Sequence, residues 1–151
     1  WTGWISYTLS RSTRFDSSHP EYVFQYDQTH LLTALTSIDL KGNWTLSARF
    51  RYATGNPYTP IATAVFDSDG DKFIPIQGAF YSQRVSAFMQ FDLRIDKKWI
   101  YNNWILSAYL DIQNLTNRAN IQSVQYAYDY QSSTQISGLP ILPTFGVKGE
   151  F

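Results

Sequence analysis

The residues best placed to do chemistry in this chain are charged, and they recur at every second position. Arg49 and Arg51 stand two apart in the stretch Trp44 to Tyr52. Gln90, Asp92, Arg94 and Asp96 follow the same spacing in Ala87 to Lys97, and Asp111 falls in Trp104 to Ile112. In an extended strand, residues two apart point to the same side, so each set lines one face. If the three stretches are antiparallel neighbours, Arg49 and Arg51 lie beside Asp92, Arg94 and Asp96, with Asp111 one strand further. Such a face forms cross-strand ion pairs. It serves either as a polar wall that guides a solute or as a charge ladder that keeps a water-facing surface satisfied. Strand spacing alone defines no acid–base pair, and no catalytic residue is assigned.

Other residue sets carry weaker chemistry. Asp67, Asp69 and Asp71, in the run DSDGD, have the alternate carboxylates and bend glycine that begin a calcium loop. A complete loop of that kind places Glu at its twelfth position, which is occupied by Gly78. What remains is two or three hard oxygen ligands for Ca2+ in the 55–83 segment, or a solvated acidic turn. No other cofactor is expected. His19 and His30 fall in or near the first long loop; without an accompanying carboxylate–serine arrangement, surface placement is the expectation. Asn43-Trp44-Thr45 and Asn114-Leu115-Thr116 match the N-glycosylation pattern. The loop aromatics Tyr22, Phe24, Tyr26, Tyr58, Phe66 and Phe73 form either a ligand-capturing surface or packing between loops.

The totals narrow the class. Twelve Lys and Arg balance twelve Asp and Glu in 151 residues, so no basic field invites nucleic acid. Cysteine is absent, which excludes a disulfide framework and thiol chemistry. No apolar run reaches 18 residues, the length of a transmembrane helix. Five Trp, eleven Tyr and ten Phe, beside a mean hydropathy of −0.29, fit strands that alternate lipid-facing and water-facing residues. They equally fit a carbohydrate-binding β-sandwich. With neither an initiator Met nor a signal pattern before Trp1, the chain reads as a trimmed product or a fragment.

Six stretches carry the alternation. The first puts Trp1, Gly3, Ile5, Tyr7 and Leu9 on one face, and a loop follows at 14–26. The second, Asp27 to Leu40, has its more apolar face at His30, Leu32, Ala34, Ile38 and Leu40. After a Lys41-Gly42-Asn43 turn, the third sends Trp44, Leu46, Ala48, Phe50 and Tyr52 one way and Arg49 and Arg51 the other. Gly55 to Gln83 is broken by Pro and Gly and reads as a long loop. The fourth, Ala87 to Lys97, sends Met89, Phe91, Leu93 and Ile95 outward. Lys98 to Asn103 is a short connection to the fifth, where Trp104, Leu106, Ala108, Leu110 and Ile112 face outward. Asn114 to Gly138 is again long and polar, with Tyr126, Tyr128 and Tyr130 extending the sheet. The sixth, Leu139 to Phe151, alternates Ile141, Pro143, Phe145, Val147, Gly149 and Phe151 against polar or small residues.

Long connections follow strands one, three and five, and short ones follow two and four. That asymmetry belongs to outer-membrane barrels, whose external loops are long and periplasmic turns short. The expected fold is therefore all-β, an antiparallel transmembrane β-barrel segment. Six strands cannot close, because membrane barrels begin at ~8, so the remaining strands come from elsewhere.

The runs YDQTHLLTALTSIDLKGNWTLSARFRYATGNPYTPI, FMQFDLRIDKKW, LDIQNLTNRAN and GLPILPTFGVKGEF resemble the C-terminal strands of TonB-dependent outer-membrane receptors. The Asn114-Leu115-Thr116-Asn117 element and the terminal strand ending in Phe151 are the most specific part. The resemblance covers nearly the whole chain and implies the last six strands of a 22-stranded barrel. In that family a plug domain fills the lumen and a short segment engages the energy-coupling protein; both lie outside these 151 residues. The resemblance implies a bacterial outer-membrane location and uptake of a scarce solute such as a siderophore, vitamin, sugar or peptide. It also implies that Phe145, Val147 and Phe151 are read by the barrel-assembly machinery. Expected partners are the remaining strands and plug, the TonB-type coupling protein, the assembly machinery and the lipid bilayer. A barrel enzyme would need a nucleophile–base constellation, and none stands out. A soluble sandwich would bury its apolar faces between two sheets.

Overall fold

The computed structural model describes residues 1–17 and 20–151. Among these residues there is no helix. Six long strands form one antiparallel sheet: β1 (Thr2–Leu9), β4 (His30–Leu40), β5 (Trp44–Ala53), β10 (Phe88–Ile100), β11 (Ile105–Gln113) and β14 (Leu142–Glu150). They pair in chain order, so the sheet is a simple meander. β1 and β14 each have one neighbour within it, and both outer edges are open.

The connections carry small sheets of their own. β2 (Thr13–Arg14) pairs β3 (Tyr22–Val23), and β6 (Pro57–Tyr58) pairs β9 (Gln83–Arg84). β7 (Ile61–Asp67) and β8 (Lys72–Gln77) form a hairpin, as do β12 (Ile121–Tyr126) and β13 (Ser133–Ser137). All of these lie in connections following β1, β5 and β11, and so gather at one end of the sheet. The tight turns after β4 and β10 lie at the other. In the first of them Gly42 and Asn43 take φ of 74° and 58°, which these two residue types tolerate at low steric cost.

The register decides which residues share a face. Ile5, Ala34, Phe50 and Phe91 are successive partners across four strands; Leu110 and Phe145 are partners across the last two. Because the side-chain period is two, a slip of one residue anywhere would exchange the faces. No slip occurs among these six strands, and the outward sets expected from sequence all fall on one side. Among the described residues no second layer covers this face. Phe145 is 84% exposed, Ile5 77% and Val147 68%, whereas Asp27, Asp92, Asn114 and Asn120 are buried, beside the small or apolar Ala53, Gly55 and Pro57.

Aromatic residues bound the apolar face. Trp1, Trp44, Trp99 and Trp104 all stand at the short-turn end, where Trp104 stacks between Tyr101 and Phe151 at centroid distances of 4.5 and 6.0 Å. Lys97 Nζ lies over the rings of Trp44 and Trp99. Tyr7 and Tyr52 mark the opposite end. From Trp44 to Tyr52 the strand runs about 26 Å at ~3.3 Å per residue.

Several boundaries differ from the sequence reading. The second strand begins at His30 rather than Asp27, because Asp27 folds back into a buried loop node. The sixth begins at Leu142 rather than Leu139, with Leu139 and Ile141 held by asparagines described below. β10 continues to Ile100, shortening the second turn. The 55–83 segment is not an irregular loop: its prolines sit where strands tolerate them. Pro75, opposite Ala64 in a two-stranded sheet, has an edge on which its missing N–H is not needed. Tyr126 ends β12, in a hairpin separate from the main sheet rather than an extension of it.

Candidate functional site

Arg49, Arg51, Gln90, Asp92, Arg94, Asp96 and Asp111 all share the face opposite the apolar one. Arg49 is the register partner of Asp92, Arg51 of Gln90, and Arg94 of Asp111. Asp92 is the centre of the group. Its Oδ2 accepts from Arg49 Nε at 2.9 Å and from the Arg49 terminal nitrogen at 2.7 Å. Its Oδ1 accepts from Gln90 Nε2 at 2.6 Å and from the backbone N–H of Asn114 at 2.9 Å. Four donors on a carboxylate only 4% exposed satisfy a charge that burial would otherwise penalise. Arg51 donates to Gln90 Oε1 at 3.0 Å, while its Nε is buried without a partner among the described residues.

The expected ladder is interrupted at Arg94. Its ion pair, 2.7 Å, is with Asp96 on its own strand rather than with a neighbour. The reason is steric and electronic. The Arg94 guanidinium lies 4.1 Å from the centroid of Tyr109, the register partner of Asp96. It is therefore drawn along β10 by stacking. The Tyr109 ring in turn lies across Gly146: a Cβ there would meet the ring at 2.5 Å. Any larger residue at 146 would displace the ring from that position.

The Asn114–Asn117 element closes the end of β11. Asn114 and Asn117 adopt left-handed backbone (φ 51° and 49°), which Asn accepts more readily than most residues. Asn114 Nδ2 donates to the carbonyls of Arg118 (3.0 Å) and Leu139 (3.1 Å), and Oδ1 accepts from Arg118 N–H at 3.1 Å. Asn117 Oδ1 accepts from Ile141 N–H at 3.0 Å. Nearby, Asn120 Oδ1 accepts from Met89 N–H at 2.9 Å. Three asparagines thus bind β10, β11 and the approach to β14 into one unit, and Asp92 is joined to it through Asn114.

A second node, absent from the sequence reading, ties the loops together. Asp27 is 2% exposed. Its carboxylate accepts from Arg84 at 2.5 Å, Ser12 N–H at 2.5 Å and Thr29 Oγ1 at 3.1 Å, and Arg84 also donates to the carbonyls of Asp27 and Gly55. Burial pushes the Asp27 carboxyl upward, but the hydrogen bonds from Arg84, Ser12 and Thr29, with the Arg84 charge, outweigh it. The pKa is held below the ordinary carboxylate value. In sequence Asp27 reads only as the first residue of the second strand, and its partner lies 57 residues away.

The remaining expected residues are dispersed. Asp67, Asp69 and Asp71 lie at the tip of the β7–β8 hairpin, where Asp67 Oδ1 accepts from Asp69 N–H at 3.2 Å and acts as a turn former. Among the described residues no group of three or more His, Cys, Asp or Glu converges as a metal site. His30 Nδ1 lies 2.8 Å from Tyr7 Oη on the apolar face, and His19 lies outside the described residues. Phe145 and Val147 project from β14 on the exposed apolar face; Phe151 stacks on Trp104. Five of the six loop aromatics pack against other rings, with Tyr22 on Phe80 at 4.8 Å, Phe24 on Tyr26 at 5.5 Å and Phe66 on Phe73 at 5.1 Å, while Tyr58 Oη donates to Gln83 Oε1 at 2.7 Å.

The arrangement defines an all-β chain built on a six-stranded antiparallel meander, with one apolar and one charged face. No protein-family model, no curated protein and no solved structure matches the chain.

Proposed function

We propose that the chain forms six consecutive strands of a larger, 22-stranded outer-membrane barrel of the TonB-dependent receptor class, as its C-terminal portion. Its role is energy-coupled uptake of a scarce solute. The observation that carries the reading is the unbroken register of the apolar face across all six strands. That face is uncovered and bounded by aromatics about 26 Å apart along the strand. The apolar band of a membrane barrel is ~25 Å tall with aromatic girdles at both rims. Open edges at β1 and β14 are consistent with further strands on both sides, since an edge unpaired in lipid is strongly disfavoured. The Arg49–Asp92 face then lines the lumen, where Asp92 holds the wall rigid.

A soluble sandwich would cover Ile5, Phe145 and Val147 with a second sheet; their exposure favours lipid as the cover. The test is fractionation of cells producing the intact protein. It should remain in the outer-membrane fraction after alkaline wash and leave only with detergent. Release into aqueous buffer would overturn the proposal.

A further inference from the structure

Between the β7–β8 and β12–β13 hairpins is a cavity of about 620 Å3, a size typical of small-molecule sites, which span ~300–1,000 Å3. We propose that this cavity is a binding site for a neutral oligosaccharide. The proposal deepens the receptor reading, resting on it for the cavity's place outside the membrane.

The lining is aromatic and polar and contains no Lys, Arg or His. Tyr58, Tyr126 and Tyr130 contribute three rings, and Asp129, Gln131 and Ser133 contribute acceptors and donors. Sugar rings present flat C–H faces and many hydroxyls. The exposed lining is mostly polar, and its tyrosine, amide, hydroxyl and carboxylate groups suit that hydroxyl-rich chemistry. An anionic solute, such as a ferric carboxylate complex, would meet no cation and one carboxylate; sites for such ligands use Arg or Lys. A metal ion would find a single carboxylate where Ca2+ takes ~6–8 oxygens.

The site is built before any ligand arrives. Tyr126 Oη accepts from the backbone N–H of Ile61 at 3.1 Å, joining one hairpin to the other. Tyr128 Oη donates to the Asp71 carbonyl at 2.9 Å, and its ring meets Phe73 edge-on at 5.7 Å, a second tie between the same hairpins. Tyr130 has φ of 57°, a conformation bulky side chains rarely adopt, fixed by its N–H to the Ala127 carbonyl at 3.0 Å. That backbone holds the Tyr130 ring 6.3 Å from that of Tyr126. Asp129 Oδ1 accepts from Gln131 N–H at 3.1 Å, and Oδ2 is left to accept from a ligand hydroxyl.

The experiment is calorimetric titration of the detergent-solubilised full-length protein with maltotriose, cellotriose, mannotriose and xylotriose, and with ferric citrate. At least one neutral trisaccharide should bind, with an affinity unchanged between low and high salt. Asp129→Asn, which keeps the turn acceptor, should weaken binding by about tenfold, the effect of losing one charge-assisted hydrogen bond. Tyr130→Ala should abolish it. The proposal is overturned if none of the four sugars binds at millimolar concentration, or if binding is unaffected by both variants. It is equally overturned if ferric citrate alone binds. Should fractionation find the protein in the aqueous phase, the same titration on the soluble protein still decides the sugar site, so the two failures are distinguishable.

Discussion

Replacing Asp92 by Ala removes the acceptor for four hydrogen bonds in one step. Two of the donors belong to Arg49, whose side chain is 40% exposed and recovers water on its open side. The Gln90 amide can rotate. The Asn114 N–H cannot: Asn114 is 3% exposed and its backbone is held by the turn. Leaving a buried donor unpaired costs about 1–3 kcal/mol. Breaking a fully buried ion pair costs ~3–5 kcal/mol, reduced here because Arg49 is part-exposed. The net expectation for Asp92→Ala is a loss of about 3 kcal/mol. Urea unfolding of the intact protein in phospholipid vesicles, followed by tryptophan fluorescence, measures it. A cycle with Arg49→Ala should assign about 1–2 kcal/mol to the pair itself, the strength of a charge-assisted bond. A destabilisation under ~0.5 kcal/mol, the range of ordinary surface substitutions, would refute the central role of Asp92.

Three further outcomes are expected. Asp27, with its folded pKa below the unfolded value of 3.8, stabilises the loop node at neutral pH. That contribution is lost as pH falls below the unfolded pKa and through the depressed folded one, so hydrogen exchange in segments 10–30 and 54–86 should accelerate in acid; Asp27→Asn should flatten the dependence. Asn114→Ala puts a Cβ-bearing residue without a side-chain amide at positive φ and frees the Arg118 N–H, costing about 2–4 kcal/mol in the same urea assay; Asn114→Gly should recover the backbone part only. Phe151→Asp should lower the amount of heat-modifiable, assembled barrel in the outer membrane, and unchanged levels would count against an assembly role for that side chain.

Strand facing was legible because the period-2 pattern is local: Trp44 to Tyr52 and Met89 to Ile95 declare an apolar face in their own residues. The charged face was legible as a face, but not as a network. Which acid Arg94 chooses depends on the ring of Tyr109, and that depends on Gly146 two strands from Arg94. Asp27 and Arg84 were invisible, since neither has a local pattern and their contact spans two loops. Prolines concealed the β7–β8 and β6–β9 pairs by reading as loop punctuation, although an edge strand accommodates them. The Asn114–Asn117 element stood out as a structural feature through resemblance, its other sequence signal being a glycosylation pattern. Its geometry supplies the reason: two left-handed asparagines whose amides hold the neighbouring segments.

The account rests on one face of β11 meeting lipid and the other water. These 151 residues contain no cysteine, so, with any cysteine elsewhere in the intact protein replaced, Leu106→Cys, Ala108→Cys, Leu110→Cys and Ile112→Cys can each be spin-labelled in vesicles, alongside Ser107→Cys, Tyr109→Cys and Asp111→Cys. Collision with oxygen and with a water-soluble nickel chelate then reports the surroundings of each label. The even positions should favour oxygen and the odd ones nickel, alternating residue by residue. Even positions open to nickel, or shielded from both reagents, would contradict a lipid-facing strand.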